Sequence, residues 1–386
     1  MQERLFYFTS SLITIGIIFS LSLSVYTTLF LETHSYHFFI RQLIVGFVGI
    51  TLMWFISRLN ADTFLHYFCM FLLFFSFLAM IILPFLPNSI ASSAGGAKRW
   101  IRLGFISVSP IEFFKIGFIY FLAWSFARKI DKNKKMTTKE EIKNIIPHGV
   151  VFSIVIVIIS VFQNDLGQIA VLGAILLIMM AMAGTSFRLI FLGIFGCIVV
   201  FFLIIVSSEN RIMRIKAWFG GIQDYIFSFL PDNLTKYLQT DPTPLPYQID
   251  QSINAINNGG FFGQGLGLGV LKLGFLSEIH TDFVIAGISE EIGFVGICII
   301  IYIFYVIFFE IFRTASKTEN KIFYLFCLGI GFMLFFSLLI NLYGITSIFP
   351  IKGIAIPFLS YGGSGLLANS LAIGLILMIS KQRSNV

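Results

Sequence analysis

The chain has 386 residues, of which 57% are hydrophobic and 12% are charged, with a mean hydropathy of +0.92. A soluble domain carries about 25% charged residues, and a soluble chain this apolar would expose large aggregating patches. The composition therefore excludes an ordinary soluble enzyme. The net charge of +7 is interpreted through membrane topology, and no nucleic acid partner is expected.

Ten runs of about 20 apolar residues are long enough to cross a bilayer as helices. They cover approximately residues 7–30, 38–57, 64–86, 111–127, 149–163, 165–184, 187–206, 282–309, 322–347 and 360–380. Only Gln163-Asn164-Asp165 separates the fifth run from the sixth, which predicts a tight hairpin. The predicted fold is an all-α polytopic membrane protein that forms one membrane domain over residues 1–386.

Lys and Arg residues concentrate in alternate short connections, which predicts the orientation by the positive-inside rule. With the N-terminus inside, the cytoplasmic side holds more than half of the 26 basic residues, including the run RKIDKNKKMTTKEEIK at 128–143. Attraction to anionic lipid headgroups explains this basic loop. We therefore expect a multi-pass protein of the cytoplasmic (inner) membrane with both termini in the cytoplasm.

Two segments on the outer side stand out. Residues 87–110 join a Ser/Gly/Ala stretch to AKRWIRLG, and residues 207–281 form a long extracytoplasmic loop between the seventh and eighth helices. Loops of that length are usually functional, and amphipathic pieces in this one predict short helices at the membrane surface. The glycine run at 259–269 follows no strand of a βαβ unit, which argues against a dinucleotide site. It favours close approach of the backbone to a bulky ligand, or a re-entrant turn.

Charged side chains at the ends of apolar helices are candidates for chemistry, since each costs about 2.5–3.5 kcal/mol at the centre of a membrane helix. Arg41 opens the second run, Glu112 and Lys115 open the fourth, and Asp165 opens the sixth. Glu112 and Lys115 are three residues apart and can pair on one helix face. The pair is either a simple interfacial ion pair or part of a polar cavity.

The densest polar cluster is SEIHTD at 277–282, which brings two carboxylates, an imidazole and hydroxyl groups to the outer edge of the eighth helix. One interpretation is a helix start, with Thr281 as N-cap and Asp282 in the first turn. The other is a general-base or divalent-metal site. Farther along, Glu290 and Glu291 cannot share one helix face, so at least one should bond another helix.

Taken in order along the chain, these motifs resemble the shape, elongation, division and sporulation (SEDS) family, the RodA/FtsW group. The matching stretches are FIRQL at 39–43, GAKRW at 96–100, SPIEFFK at 109–115, QNDLG at 163–167, YQIDQS at 247–252, GQGLG at 263–267, FLSEIHTDF at 275–283, EEIGFVG at 290–296 and IPFLSYGGSG at 356–365. The resemblance implies ten helices and polymerisation of lipid II, the undecaprenyl-pyrophosphate-linked disaccharide-pentapeptide. It also implies a class B penicillin-binding transpeptidase as partner, together with other divisome membrane proteins.

The resemblance also implies roles for single residues. The aspartate of the family's His-Thr-Asp-Phe motif falls on Asp282, which is expected to be catalytic. The expected substrate-binding residues are Arg41, Lys98, Arg99, Trp100, Glu112, Lys115, Asp165, Gln251, Glu278, His280, Ser360 and Gly363. The reaction would be an inverting displacement with Asp282 as general base and cations near the leaving pyrophosphate. No organic cofactor is expected, and a divalent cation, Mg²⁺ or Mn²⁺, is a candidate.

Alternatives remain open at this point. A lipid II flippase would also need many helices and buried charge, although no internal repeat is evident, and a non-catalytic scaffold would leave the 277–282 cluster unexplained. Within the family, Lys352-Gly353 and GQGLG favour the division branch at the septum, whereas the short N-terminus is more like the elongation branch. Departures from the family pattern are Ile111, Asn164, Gln168, Ser277 and Gly365.

Overall fold

The computed structural model describes residues 2–30, 34, 36–94, 97–104, 106–130, 138–227, 246–350 and 353–382. In chain order its helices are α1 (Gln2–Leu23), α2 (Val25–Phe30), α3 (His37–Ile56), α4 (Ala61–Ile82), α5 (Pro110–Lys129), α6 (Thr138–Val157), α7 (Leu166–Ala183), α8 (Phe187–Val206), α9 (Glu209–Phe227), α10 (Tyr247–Gly259), α11 (Val284–Ser316), α12 (Lys321–Ile345) and α13 (Gly363–Gln382). A 3₁₀ turn at Leu83–Phe85 extends α4, and a π-helix at Ile158–Gln163 extends α6.

Ten of these helices, all except α2, α9 and α10, are long and apolar enough to cross a membrane. The prediction of ten spans is confirmed, and by length and composition the chain is a multi-pass membrane protein. The first run differs in that its helix ends at Leu23 and resumes as α2. Capping fixes several ends: the side chains of Asn60 and Asn320 each accept a hydrogen bond from the N–H two residues on, and Gly184 ends α7 with a φ of 97°.

The spans differ greatly in how far they are enclosed by the rest of the protein. In α13, 83% of the apolar window is buried, and α5, α7 and α12 are also mostly enclosed. In α8 the buried share is 6%, although its sequence is apolar all round. Such a helix faces lipid. The polar residues at the starts of α5 and α7 therefore lie inside the bundle.

A small antiparallel sheet lies between α4 and α5 in the chain, with strands β1 (Ala91–Ala94), β2 (Ala97–Leu103) and β3 (Ile106–Val108) in that order. The all-α prediction did not include it, because β1 and β3 have only four and three residues and β2, with the sequence AKRWIRL, shows no regular alternation of apolar and polar residues. Gly104, at a φ of +63°, allows the turn between β2 and β3. The sheet matters for function because β2 carries Arg99 and Trp100.

The prediction of helices within the segment 207–281 is confirmed. Both amphipathic pieces are helical, as α9 and α10, whereas residues 228–245 lie outside the described part of the chain. Part of the glycine run packs on the backbone of α11, and the approach of a bulky ligand to this run stays a prediction. A Cβ added at Gly263 would lie 2.3 Å from the carbonyl oxygen of Glu291. The glycines are needed because two backbones of the same chain meet there.

Candidate functional site

Asp282 lies in a run of turns just before α11, and its backbone is anchored from two other parts of the chain. Asn341 of α12 donates from Nδ2 to the carbonyl oxygen of Asp282 at 2.7 Å, and Ser360 donates from Oγ to that of Thr281 at 2.7 Å. The helix N-cap is Phe283, with no side-chain cap hydrogen bond. The interpretation of Thr281 as N-cap is therefore wrong, and helix capping does not explain Asp282.

The Asp282 carboxylate lines a polar cavity of about 170 Å³. Its walls come from β2 with Arg99 and Trp100, from α5 with Glu112 and Lys115, from the α6–α7 hairpin with Gln163, Asp165 and Gln168, and from the segment 353–366 with Ser360 and Tyr361. Gly353 closes one side so tightly that a Cβ there would lie 2.5 Å from Asp282 Oδ2. The structure thus gathers Arg99, Glu112, Lys115 and Asp165 around one carboxylate.

The electrostatics of the cavity favour Asp282 as a base. Burial, with smaller contributions from the carboxylates of Glu278 and Asp165, raises the pKa of Asp282 from 3.8 to about 7, and Arg99 opposes these effects. Burial likewise raises the pKa of Asp165 above its ordinary value, against the effect of Arg99. A carboxylate that takes up a proton near neutral pH has the basicity that general-base catalysis requires.

Lys115 and Glu112 form an ion pair inside the cavity. Lys115 Nζ lies 2.8 Å from Glu112 Oε2, and their side chains are only 4% and 17% exposed. Gln168 of α7 donates from Nε2 to Glu112 Oε1 at 3.0 Å and ties the pair to the next span. Of the two interpretations of this pair, the structure favours the polar cavity over the simple interfacial ion pair.

Arg99 of β2 is fixed on the α6–α7 hairpin. Its Nε donates to the carbonyl oxygen of Gln163 at 2.8 Å, its Nη2 donates to that of Asn164 at 2.9 Å, and Nη1 lies 3.8 Å from Asp165 Oδ2. Asn164 takes a left-handed conformation, with a φ of 51°. Proline cannot adopt that φ, so a proline at position 164 is incompatible with the turn that receives Arg99.

A second cavity of about 380 Å³ adjoins the first and shares Trp100, Thr281 and Tyr361 with it. Arg41 of α3 and Gly363 line this second cavity. Burial raises the pKa of Tyr361, and a hydrogen bond with Arg41 opposes that effect. The two cavities are adjacent spaces with Trp100 in the walls of both, and one of them lies beside Asp282.

The remaining predicted site residues lie elsewhere. Lys98 Nζ donates to the carbonyl oxygens of Pro84 and Leu86, and Gln251 of α10 lines neither cavity. His280 is buried among aromatic rings and contacts Thr27, and burial lowers its pKa. Glu278 is exposed and accepts a 2.7 Å hydrogen bond from Thr281 Oγ1. These placements give no support to a ligand role for Lys98, Gln251 or His280, which stays a prediction.

Three residues at the site were missed by sequence reasoning. Asn341 is a polar side chain inside an apolar span, and its Nδ2 also donates to the carbonyl oxygen of Ile354 at 2.7 Å. The cost of a polar group in a membrane helix was an available signal for it. Gly353 was considered only as a branch marker, and its neighbour Lys352 lies outside the described residues. Gln168 was noted only as a departure from the family pattern.

Comparisons with known proteins identify relatives over almost the whole chain. The model of a cell cycle protein family that comprises FtsW, RodA and SpoVE matches residues 2–385. A protein of Helicobacter pylori named probable peptidoglycan glycosyltransferase FtsW is 48% identical over 98% of both chains. Stage V sporulation protein E of Bacillus subtilis is 32% identical, over 97% of this chain and 95% of its own.

Two solved structures share the fold. One, described as a peptidoglycan synthase complex that coordinates polymerization and crosslinking, matches with a TM-score of 0.72 at 18% identity, over 99% of this chain and 98% of its own. RodA of Thermus thermophilus matches with a TM-score of 0.66 at 19% identity, over 98% and 96% of the two chains. At such identities the likeness concerns the fold alone.

Proposed function

Because the chain belongs to the FtsW/RodA/SpoVE family of cell cycle proteins, we propose that it is a peptidoglycan glycosyltransferase that polymerises lipid II into β-1,4-linked glycan. The observation that carries the proposal is the position of Asp282, a carboxylate with a pKa of about 7 in a polar cavity that also holds Lys115 and Arg99. The FtsW relative of Helicobacter pylori described above carries the same activity in its name.

The proposed reaction is one inverting displacement. Asp282 accepts the proton of the 4-hydroxyl group of the acceptor sugar as that oxygen bonds to the anomeric carbon of the donor. The bond from that carbon to the pyrophosphate oxygen breaks, and undecaprenyl pyrophosphate leaves. Arg99 and Lys115 in the first cavity and Arg41 in the second supply positive charge for the departing group. Change from an α-linked donor to a β-linked product needs no covalent enzyme intermediate.

A divalent cation, Mg²⁺ or Mn²⁺, remains part of the proposal. Within the described residues no three His, Cys, Asp or Glu side chains come together as a metal site. Such a cation would therefore draw most of its oxygen ligands from the pyrophosphate and from water, as Mg²⁺ commonly does. Asp165 and Asp282, which both line the cavity, are the side chains that would contact it, and the cation would neutralise charge on the leaving group.

We further propose that the cavity opens at the outer face of the cytoplasmic membrane and that both termini are cytoplasmic. What supports this orientation is α5: it starts beside Glu112 in the cavity and ends at Lys129, where the basic run 128–143 begins. A class B penicillin-binding transpeptidase is the proposed partner that cross-links the product, and further divisome membrane proteins are expected at the septum.

The experiment that tests the function is polymerisation of purified lipid II by the purified protein in detergent. A polymerase forms glycan strands there without a second compartment, whereas a flippase forms none. If the folded protein forms no product but translocates lipid II after reconstitution into vesicles, it is a flippase and the glycosyltransferase proposal is wrong.

The branch is tested in cells. The FtsW names of the relatives support a role in division, and depletion is then expected to give filaments without septa. Rounded cells after depletion would assign the same polymerase to elongation, as in the RodA branch.

A further inference from the structure

Asp282 lies at the N-terminal end of a short helical segment, and a backbone break separates this segment from the rest of its span. Helix α11 runs from Val284, but Gly293 has a φ of 65° and a ψ of −170°, which interrupts the helix. The segment 284–292, here called the half-helix, therefore has Asp282 two residues before its first residue, next to the N-cap Phe283. Whatever fixes the half-helix also fixes the base.

The glycine run supplies hydrogen-bond partners for the backbone N–H and C=O groups that lose their helical partners at the break. The N–H groups of Gln264 and Gly265 donate to the carbonyl oxygens of Glu290 and Glu291, each at 2.9 Å. On the other side of the break, the N–H of Phe294 donates to the carbonyl oxygen of Gly260 at 3.0 Å. Unpaired backbone groups are costly inside a membrane protein, so the break and the glycine run depend on each other.

Two buried carboxylates fasten the same loop to the half-helix. Glu290 Oε1 accepts hydrogen bonds from the backbone N–H groups of Val270 and Leu271, at 2.8 and 3.2 Å, and from Asn258 Nδ2 at 2.7 Å. Both carboxylates are 1% exposed as residues. The expectation that at least one of Glu290 and Glu291 bonds another helix is confirmed, because Asn258 belongs to α10.

Glu291 forms an ion pair with Lys272 that reaches the first span. Lys272 Nζ lies 2.7 Å from Glu291 Oε1, and the two side chains are 4% and 0% exposed. Ser22 of α1 joins the pair: its hydroxyl donates to Glu291 and accepts from Lys272 Nζ at 2.9 Å. None of these residues lines either cavity, so the reaction proposed above does not use them.

We infer that Lys272, Glu290 and Glu291 are positioning residues that hold the half-helix against α1 and the glycine run and thereby place the Asp282 carboxylate. A buried ion pair adds little net stability compared with apolar residues of the same volume, because desolvation offsets the attraction. Its geometric demand is strict, however, since each charge has one set of partners. The Lys272–Glu291 pair thus specifies a single position of the half-helix.

The inference rests on the proposed polymerase activity, and its first test uses that activity. Lys272→Met keeps the length of the side chain but leaves Glu291 without its cation. Misplacement of a catalytic group by about 1 Å costs on the order of 10²-fold in rate, so kcat should fall about 10- to 100-fold while KM changes little. The midpoint of the pH–rate profile, expected near 7, should also move, because the surroundings of Asp282 change.

A matched control lies beyond the break on the same helix. Glu310 is 1% exposed as a residue and lies 3.6 Å from Arg313, so Glu310→Gln removes a buried carboxylate from α11 without touching the half-helix. It should leave kcat and the pH midpoint unchanged. If Lys272→Met does not fold, the double variant Lys272→Met/Glu291→Met replaces it, because exchange of a buried ion pair for apolar side chains of similar volume often leaves stability unchanged while it removes the geometric demand of the pair. A wild-type kcat and pH midpoint in the folded variant, or equal losses in Glu310→Gln, would overturn the inference.

A second readout does not depend on activity. In a chain whose four native cysteines are replaced, the thiol of Asp282→Cys should react slowly with a maleimide. Adding Lys272→Met should speed that reaction by tenfold or more, because the half-helix is released, whereas adding Glu310→Gln should not. An unchanged rate overturns the positioning role even if the protein polymerises lipid II. If the protein forms no glycan but the thiol reaction is faster with Lys272→Met, the proposed function is wrong and the positioning role of Lys272 is supported.

Discussion

The pH–rate profile depends directly on the surroundings of Asp282. Burial and the Glu278 carboxylate raise the pKa of Asp282 from 3.8 to about 7. A general base acts in its ionised form, so the polymerisation rate should rise as the pH rises through about 7 and fall away below it. Glu278→Gln removes one of the charges that raise this pKa, while its amide oxygen can still accept the hydrogen bond from Thr281.

The size of the effect follows from the order of the causes. Because burial is the larger one, Glu278→Gln should lower the midpoint by about one pH unit or less. With a midpoint of about 7, roughly a tenth of the base is ionised at pH 6, and with a midpoint of about 6, roughly half is. The variant should therefore be up to about fivefold faster than wild type near pH 6 and equal to it above about pH 8.

The assay is polymerisation of purified lipid II from about pH 5 to pH 9 at constant ionic strength, since salt screens interactions of exposed charges. Glu319→Gln is the matched control, because Glu319 is an equally exposed carboxylate in the connection from α11 to α12 and lines neither cavity. The reasoning is refuted if Glu278→Gln keeps the wild-type midpoint or raises it, or if Glu319→Gln shifts the midpoint equally.

Three further outcomes are expected. Lys115→Met leaves a mostly buried carboxylate unpaired and should lower the polymerisation rate at least tenfold, measured on purified lipid II. Gly353→Ala places a methyl group 2.5 Å from an Asp282 oxygen and should lower kcat by a similar factor in the same assay. Cysteines introduced singly for Lys143 and Asn257 should label from opposite sides of sealed vesicles, on the inner and outer faces respectively.

Each of these has a control or a contrary result. Lys317→Met removes an exposed lysine and should leave the rate unchanged. Gly196→Ala adds a methyl group that meets no other part of the protein within 4 Å, and it should also leave the polymerisation rate unchanged. Wild-type rates for Lys115→Met and Gly353→Ala would show that neither the Glu112–Lys115 ion pair nor the close packing of Gly353 is needed for polymerisation. Labelling from a single side would reverse the orientation of the cavity.

The spans and the α6–α7 hairpin were predictable because hydropathy is a local property. About 20 apolar residues in a row can satisfy their backbone in lipid only as a helix, and the break at 163–165 is visible in the same window. Asp165 and Asp282 could be singled out for the same reason, since a charge at the edge of such a run is costly.

The geometry of the cavity was not predictable, because its contacts join distant parts of the chain. Gln168 of α7 donates to Glu112 of α5, and Asn341 of α12 donates to the carbonyl oxygen of Asp282, just before α11. Neither residue has a local signature of its partner. The partner of the glycine run was not predictable for a related reason: glycine density indicates a close approach but not the group that is approached, which for part of the run is the broken helix α11.

The central claim is tested most directly by Asp282→Asn in the lipid II polymerisation assay. Asparagine keeps the size of the side chain but cannot take the proton, so the rate should fall about 10²- to 10⁴-fold. Because an ionised carboxylate with a raised pKa destabilises the folded state above that pKa, the variant should be at least as thermostable as wild type above about pH 7. A folded Asp282→Asn protein that polymerises lipid II at the wild-type rate would contradict the assignment of Asp282 as the general base.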